Sequence, residues 1–464
     1  MRAQLGVAGL VLLSLLAPVG ARADRVDAYV RGAMRRQHIP GLSLAVVRRG
    51  KVVKARGYGW AHVELRVRAR PETVYQLQSV TKCFTATGVM ILVEEGRLGL
   101  DDPIGKYLQG TPDQWERITL RHLLTHTSGI KDFINEPTAS LRLDVSEEDV
   151  LRATAARPLN FPPGDRYAYS NTNYHLLAMV IRAVTGKHWG EFLRERLFEP
   201  LGMKTTRVVS HDDLVPNRAA GYRWEQGALR NGQYVAASIL GYAGGGLCAT
   251  VLDLAKWDAA LRSERILKKA SLEQMWRPAR LNNGQTTGYG LGWVVGEVNG
   301  HRFVAHSGSH VTGFSTYVVR FPEDDLMVVV LTNRSGADTG RIAHRIARFY
   351  HPGLVAPLAP PIEDREPRIT AFLEKVLRWT ETGTLDPEIL TPEMRAAVVP
   401  DGLRDTGEFL RSLGPRRPLQ LLERRVEGAL RVYRYRAATP EGTLLFTCAL
   451  TQEEKIAGMR VNLE

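Results

Sequence analysis

The stretch SVTKCFTATGVMILVEEG, residues 79–96, decides the fold. Ser79 and Lys82 stand three residues apart at its head. Behind them Val80, Phe84, Val89, Ile91 and Leu92 recur at helical spacing, and Gly96 supplies a stop. The spacing predicts a helix over 79–95. On a helix, positions i and i+3 share a face, so the hydroxyl of Ser79 and the amine of Lys82 can meet. A serine hydroxyl is a poor nucleophile until a base takes its proton. A lysine is that base only when neutral, so its reference pKa near 10.4 must fall by roughly three units, about 4 kcal/mol. Burial and the positive end of a helix dipole both push that way. Val80, Cys83 and Phe84 promise the burial.

One Ser-x-x-Lys is weak by itself. With 16 Ser and 12 Lys in 464 residues, chance alone supplies about 0.4 such pairs. A second pair exists at Ser128 and Lys131, but it contains Gly129 and no sustained apolar helix follows, so it reads as a loop. Arginine cannot serve as a base near neutral pH. A lysine in a chain with 50 Arg is therefore more informative than usual.

Outward from this helix the chain is β-rich on both sides. Residues 42–47 and 52–60 flank Arg49-Gly50, a hairpin signal, and a short helix with Val26, Tyr29, Val30 and Met34 on one face precedes them. Runs at 291–298, 303–306, 316–321 and 326–332 are β-rich again, and a helix at 338–349 follows. Residues 98–285 read as helix and loop, with a capping box at Ser146 and Asp149. Strands at both ends bracketing a helical insert predict an α+β fold. Its mixed or antiparallel sheet is flanked by helices, beside a mainly helical subdomain. A proline-rich stretch, 351–367, reads as a semi-rigid linker. Beyond it, 368–464 reads as helix and then a four-strand meander with breaks at Glu427-Gly428, 440–442 and Gln452-Glu453. The expected organisation is thus a leader at 1–23, a main domain at 24–350, the linker, and a small α+β module.

The leader rests on Arg2, an apolar run at 5–16 broken by Pro18 and Gly20, and the small-x-small pattern Ala21-Arg22-Ala23. The run is shorter than the roughly 18–20 apolar residues a span needs, so cleavage and export to a periplasmic or secreted location are expected, with no transmembrane segment left. The formal charge is +13, and nearly all of the excess lies before residue 365. A basic surface favours anionic partners such as cell-wall polymer. No Lys/Arg block or nucleic-acid motif accompanies it, so nucleic-acid binding is not expected. Three cysteines exclude a disulfide scaffold. Whether Cys83 and Cys248 pair is open at this level, as is the oligomeric state.

Two further elements carry chemistry. Tyr169-Ser170-Asn171 is the chain's one Tyr-x-Asn, and in an extended segment its phenol and amide point the same way. His306-Ser307-Gly308-Ser309 ends a predicted strand, where a backbone N–H can complete an oxyanion hole with that of Ser79. In this order and spacing the three elements resemble the serine penicillin-recognising enzymes, and most closely the class C β-lactamase and D,D-peptidase branch, which includes esterases. Gly57-Tyr58-Gly59, residues 98–103, residues 123–129, Pro163-Gly164 and Gly245-Gly246-Leu247 add to the likeness, which covers about 25–350.

The resemblance implies a β-lactamase/transpeptidase-like fold with Ser79 as acylated nucleophile. Lys82 and Tyr169 would share the acid and base work. Asn171, His306, Ser307 and Gly308 would bind substrate, and the N–H groups of Ser79 and Ser309 would form the oxyanion hole. The leading expectation is a D,D-carboxypeptidase- or peptidase-like activity on D-amino-acid or peptidoglycan-type amides, with a small-molecule, peptide or ester substrate; an esterase of small acyl esters and a weak β-lactamase are the alternatives. A catalytically silent binding protein on the same fold is the alternative from another class. The sequence departs from many β-lactamases in having His306 where they have a lysine. A mostly neutral histidine holds a substrate carboxylate less firmly. No cofactor or metal is expected: His122 and His126 stand at i, i+4, but Leu123 breaks the His-Glu-x-x-His pattern. The terminal module resembles small nuclear-transport-factor-like (NTF2-like) domains.

Overall fold

The computed structural model describes residues 19–134, 141–355, 359–399, 401–440 and 442–463. The apolar run expected to serve as leader lies outside the described residues. The chain divides into two compact units, the first ending at His351 and the second beginning at Pro352.

The first unit is built on a seven-stranded antiparallel sheet. Arg49 and Gly50 both adopt positive φ, as a tight hairpin turn requires, and join Gly41–Arg48 to Lys51–His62. Gly41–Arg48 then pairs with Leu326–Thr332, about 280 residues away. Next come Phe314–Phe321, His301–His310 and the edge strand Val294–Val298, while Val67–Arg68 closes the other edge. The ladder between the last two long strands covers only His301 to Ala305 of the inner one. From His306 onward that strand has no partner on its outer side among the described residues, and this open edge becomes one wall of the site.

The helix Thr81–Glu94 is buried from Thr81 to Leu92, all round rather than along one stripe. That is the pattern of a helix enclosed in a core. Phe84 stacks on Trp257 at 4.0 Å and meets Phe198 edge-on at 5.9 Å. Gly88 lets the helix Trp189–Leu193 close in, since a Cβ there would lie 2.7 Å from Leu193. Between the strand groups the chain is mainly helical, as expected. It also holds features the sequence reading missed: the hairpin Tyr222–Glu225/Ala228–Asn231 and a short three-stranded sheet that includes Tyr75–Gln76 and Leu247–Ala249. These strands are two to four residues long, too short for alternation to mark them. Ser146 and Asp149 form both bonds of the capping box.

Arg320 of the sheet pairs with Asp258 of the helix Val251–Arg262, both nearly fully buried. Burial pushes the Asp258 carboxyl up even beside the guanidinium. Such a pair adds little net stability, but breaking it leaves a buried charge alone. Asp258→Ala is expected to cost about 3–5 kcal/mol in denaturant unfolding.

The second unit carries the helices Pro367–Thr382, Pro392–Val398 and Asp401–Ser412 ahead of a four-strand antiparallel meander, Gln420–Glu427 to Ile456–Leu463. Leu373, Val376, Leu377, Tyr435, Leu444 and Phe446 form its core. Cys83, Cys248 and Cys448 are each free and buried.

Candidate active site

Ser79 does not lie on the α-helix itself. It sits in the 3-10 turn Gln78–Val80, and the α-helix begins at Thr81. Gln78 holds a φ of 53°, an uncommon value for a residue with a side chain. Its amide nitrogen donates to Gln76 Oε1 at 2.9 Å and Thr312 Oγ1 at 3.0 Å, which fixes the turn. The sheet braces the same turn, since Thr316 Oγ1 donates to Leu77 O at 2.6 Å. Gly308 allows this approach: a Cβ there would come within 2.4 Å of Leu77 O and 2.8 Å of Gln78 Cβ. Any side chain at 308 would push the open strand edge away from the nucleophile.

Lys82 is fully buried, and its Nζ has three neighbours. They are Gly244 O at 2.7 Å, Asn171 Oδ1 at 2.9 Å and Ser79 Oγ at 3.2 Å. The first two can only accept. A neutral amine has two N–H bonds, so those acceptors take both and the lone pair is left for Ser79 Oγ. Burial pulls the Lys82 ammonium down to about 7, against the opposing field of Asp132.

Tyr169 is 37% exposed, but its hydroxyl end reaches into the site beside Ser79, where desolvation pushes the phenol well above its ordinary value. Its ring covers Lys82 Nζ at 4.8 Å. Ser170 is extended and caps the helix Asn171–Thr185, so Asn171 opens a helix rather than ending a strand. The Asn171 amide is held on three sides: Oδ1 accepts from Lys82 and from Tyr242 OH at 2.8 Å, and Nδ2 donates to Asp132 Oδ2 at 2.9 Å. Beneath Tyr169 lies His126, fully buried, with Nδ1 accepting from Ser170 N at 3.2 Å. His122 instead caps its own helix through Thr119. The two histidines serve different partners.

His306 is 3% exposed, and both ring nitrogens are engaged. Nε2 meets Tyr289 OH at 2.8 Å and Nδ1 meets Ser307 O at 2.7 Å. Burial, with Lys82 nearby, pulls the imidazolium down to about 3, so the ring is neutral at pH 7. It shapes the wall rather than presenting a cation. Ser307 and Ser309 are exposed along the open edge, with the Ser309 hydroxyl meeting that of Ser315 at 3.1 Å. Ser128 and Lys131, the second Ser-x-x-Lys, lie in a loop, where Ser128 Oγ donates to Asn173 Oδ1 at 2.7 Å.

The structure therefore gathers Ser79, Lys82, Tyr169 and Asn171 around one point and braces them with the strand from His306 to Ser309. Such a group can pass a proton from a serine to an amine and on through a phenol. The sequence reading missed Asp132, Tyr242, Gly244, Tyr289 and Gln78. Only Tyr242 and Gly244 carried a local hint, the small-residue run from Gly241 to Gly246.

The sequence profile of the β-lactamase family matches residues 26–351. The chain belongs to the β-lactamase family. A penicillin-binding protein of Bacillus subtilis (strain 168) is 31% identical over 303 residues, 61% of this chain. The match spans 66% of that relative's own length, just under two thirds. Among solved structures, the octameric penicillin-binding protein homologue from Pyrococcus abyssi is similar over 95% of this chain and 98% of its own, with 25% identity and a TM-score of 0.63. The D-amino acid amidase from Ochrobactrum anthropi SV3, complexed with D-phenylalanine, is similar over 71% of this chain and 99% of its own, with 25% identity and a TM-score of 0.61. The family's β-lactamase/transpeptidase-like architecture, an antiparallel sheet with helices, is that of the first unit, and the second adds an extra sheet module. Among the described residues of this family member no helix is long and apolar enough to cross a membrane.

Proposed function

We propose that this protein is an exported serine hydrolase that opens amide bonds of D-amino-acid substrates through an acyl-enzyme on Ser79. The observation that carries the reading is the position of Lys82 Nζ, 3.2 Å from Ser79 Oγ and within 2.9 Å of two obligate acceptors, Asn171 Oδ1 and Gly244 O, so that the neutral amine keeps its lone pair for the serine. Neutral Lys82 takes the Ser79 proton as Oγ attacks the substrate carbonyl. The N–H groups of Ser79 and Ser309 receive the oxyanion, and losing one such donor costs about 2.7–4 kcal/mol in comparable sites. Tyr169, whose hydroxyl is kept protonated by desolvation inside the site, gives its proton to the departing amine and recovers one from Lys82. Water then enters in place of the amine, and the same groups run in reverse to release the acid.

The electrostatics favour one substrate class within this reading. His306 is neutral and engaged, so it offers no cation for a substrate carboxylate. Asp132 contributes a negative field at Lys82 and Tyr169. A substrate with a free amine beside the scissile carbonyl suits this site better than one ending in a carboxylate. That ranks D-aminoacyl amides above D-Ala-D-Ala-terminated peptidoglycan stems and above β-lactams. The likeness to a D-amino acid amidase supports the same order. Small acyl esters are the second reading, favoured by the exposed, uncharged Ser307 edge.

The test is a panel of D-phenylalaninamide, a D-Ala-D-Ala peptide, a short acyl ester and a penicillin, compared by kcat/KM. D-Phenylalaninamide is expected to exceed the D-Ala-D-Ala peptide by at least tenfold, about 1.4 kcal/mol of transition-state binding. A faster rate on the carboxylate-terminated peptide or on the penicillin would overturn this order.

A further inference from the structure

Two histidines and an aspartate converge at the far end of the sheet from Ser79. His301 begins the strand His301–His310, Asp324 lies in the turn after Phe314–Phe321, and His351 caps the end of the helix Thr339–Tyr350. His301 Nδ1 is 2.9 Å from Asp324 Oδ2, and His351 Nε2 is 2.9 Å from Asp324 Oδ1. The two imidazoles meet edge to face, with centroids 4.8 Å apart. The three ligand-type atoms all lie within 4.8 Å of one another.

We propose that His301, Asp324 and His351 form a structural zinc site. Two imidazole nitrogens and one carboxylate oxygen make a donor set suited to zinc and its late first-row neighbours rather than to magnesium or calcium. Zinc bonds of about 2.0–2.2 Å place tetrahedral ligands roughly 3.3 Å apart, so the 2.9 Å nitrogen–carboxylate pairs open by a few tenths of an ångström while the ligand atoms, now within 4.8 Å of one another, draw in around the ion. Without metal, each imidazole donates to the carboxylate. Moving each ring proton to the opposite nitrogen turns both lone pairs to one point. The side chains are accessible enough for an ion and a water ligand to reach them: His301 is 27% exposed, His351 25% and Asp324 10%.

The site has no part in the acyl-enzyme chemistry. His301 precedes His306 by five residues, about 17 Å along an extended strand. Its effect is to clip the end of a helix to a strand and a turn that are distant in sequence. His351 is also the last residue of the first unit.

The test uses the untagged full-length chain, dialysed against Zn2+ and compared with His301→Gln and His351→Gln. Glutamine keeps an N–H for Asp324 while removing the imidazole, and covalent labelling of Ser79 checks that each variant folds. The expected result is one Zn2+ per wild-type chain, bound at least tenfold more tightly than by either variant, with a rise in thermal midpoint that only the wild type shows. Substituted Co2+ should give the intense visible band of tetrahedral coordination in the wild type alone. Equal binding by wild type and variants, or no uptake by the wild type at about 100 μM Zn2+, would overturn the site.

Discussion

Ser79→Ala is expected to lose all covalent labelling by serine-directed acylating probes and to lower hydrolysis by about 10⁴-fold or more. The size follows from position. The 3-10 turn at Gln78–Val80 aims one hydroxyl at both Lys82 and Tyr169. Without that oxygen no acyl-enzyme forms, and only binding and oxyanion contacts remain to assist water. The fold should survive, because Lys82 keeps Gly244 O and Asn171 Oδ1. Ser128→Ala is the matched control. It removes the serine of the other Ser-x-x-Lys, whose hydroxyl is already committed to Asn173, and it should label like the wild type. Intact mass after probe treatment separates the two. An adduct persisting in Ser79→Ala would remove the nucleophile assignment and everything built on it.

Lys82→Arg is expected to lower acylation by about 10³-fold and to erase its pH dependence near neutrality. In the wild type the working form of Lys82 is neutral. Acylation should therefore rise with pH along a sigmoid centred near 7, the value to which burial brings the amine. A guanidinium stays charged throughout and cannot produce that rise. Stability supplies a second readout, and it too rises with pH. Unfolded Lys82 titrates near 10.5 and folded Lys82 near 7, so between those values the unfolded chain binds more protons and stability rises with pH. Below about 7 the folded protein carries the whole cost of a buried charge. Lys82→Met should thus be more stable than the wild type at pH 6, by at most a few kcal/mol because Gly244 O and Asn171 Oδ1 lose a donor, and the gain should shrink by pH 10. A flat wild-type profile from pH 6 to 9, with Lys82→Met no more stable at pH 6, would place the base elsewhere.

The legibility of the site follows sequence distance. Ser79 and Lys82 are neighbours within one turn, so any local helix-like geometry brings them together, whether the serine lies on the α-helix or on the 3-10 turn before it. The long strands showed through β-rich runs bounded by turn residues, and Leu326–Thr332 matches its expected bounds to the residue. The second unit's meander read equally well, since each break is a short turn. The groups that set the proton chemistry left almost no local trace. Gly244 lies 162 residues from Lys82, Asp132 lies 39 from Asn171, and Tyr242 lies 71 from Asn171. His306 could be read as neutral from its ordinary titration, but not as a buried ring with both nitrogens engaged.

The sequence by itself determined the elements and the family, because helix and strand periodicity and short-range motifs are properties of neighbouring residues. The tertiary structure decided the working chemistry. It closed the core round Lys82, set two obligate acceptors on its amine and left its lone pair on Ser79. Those effects arise from desolvation and hydrogen bonds between segments far apart in the chain, and they exist only once the core has formed.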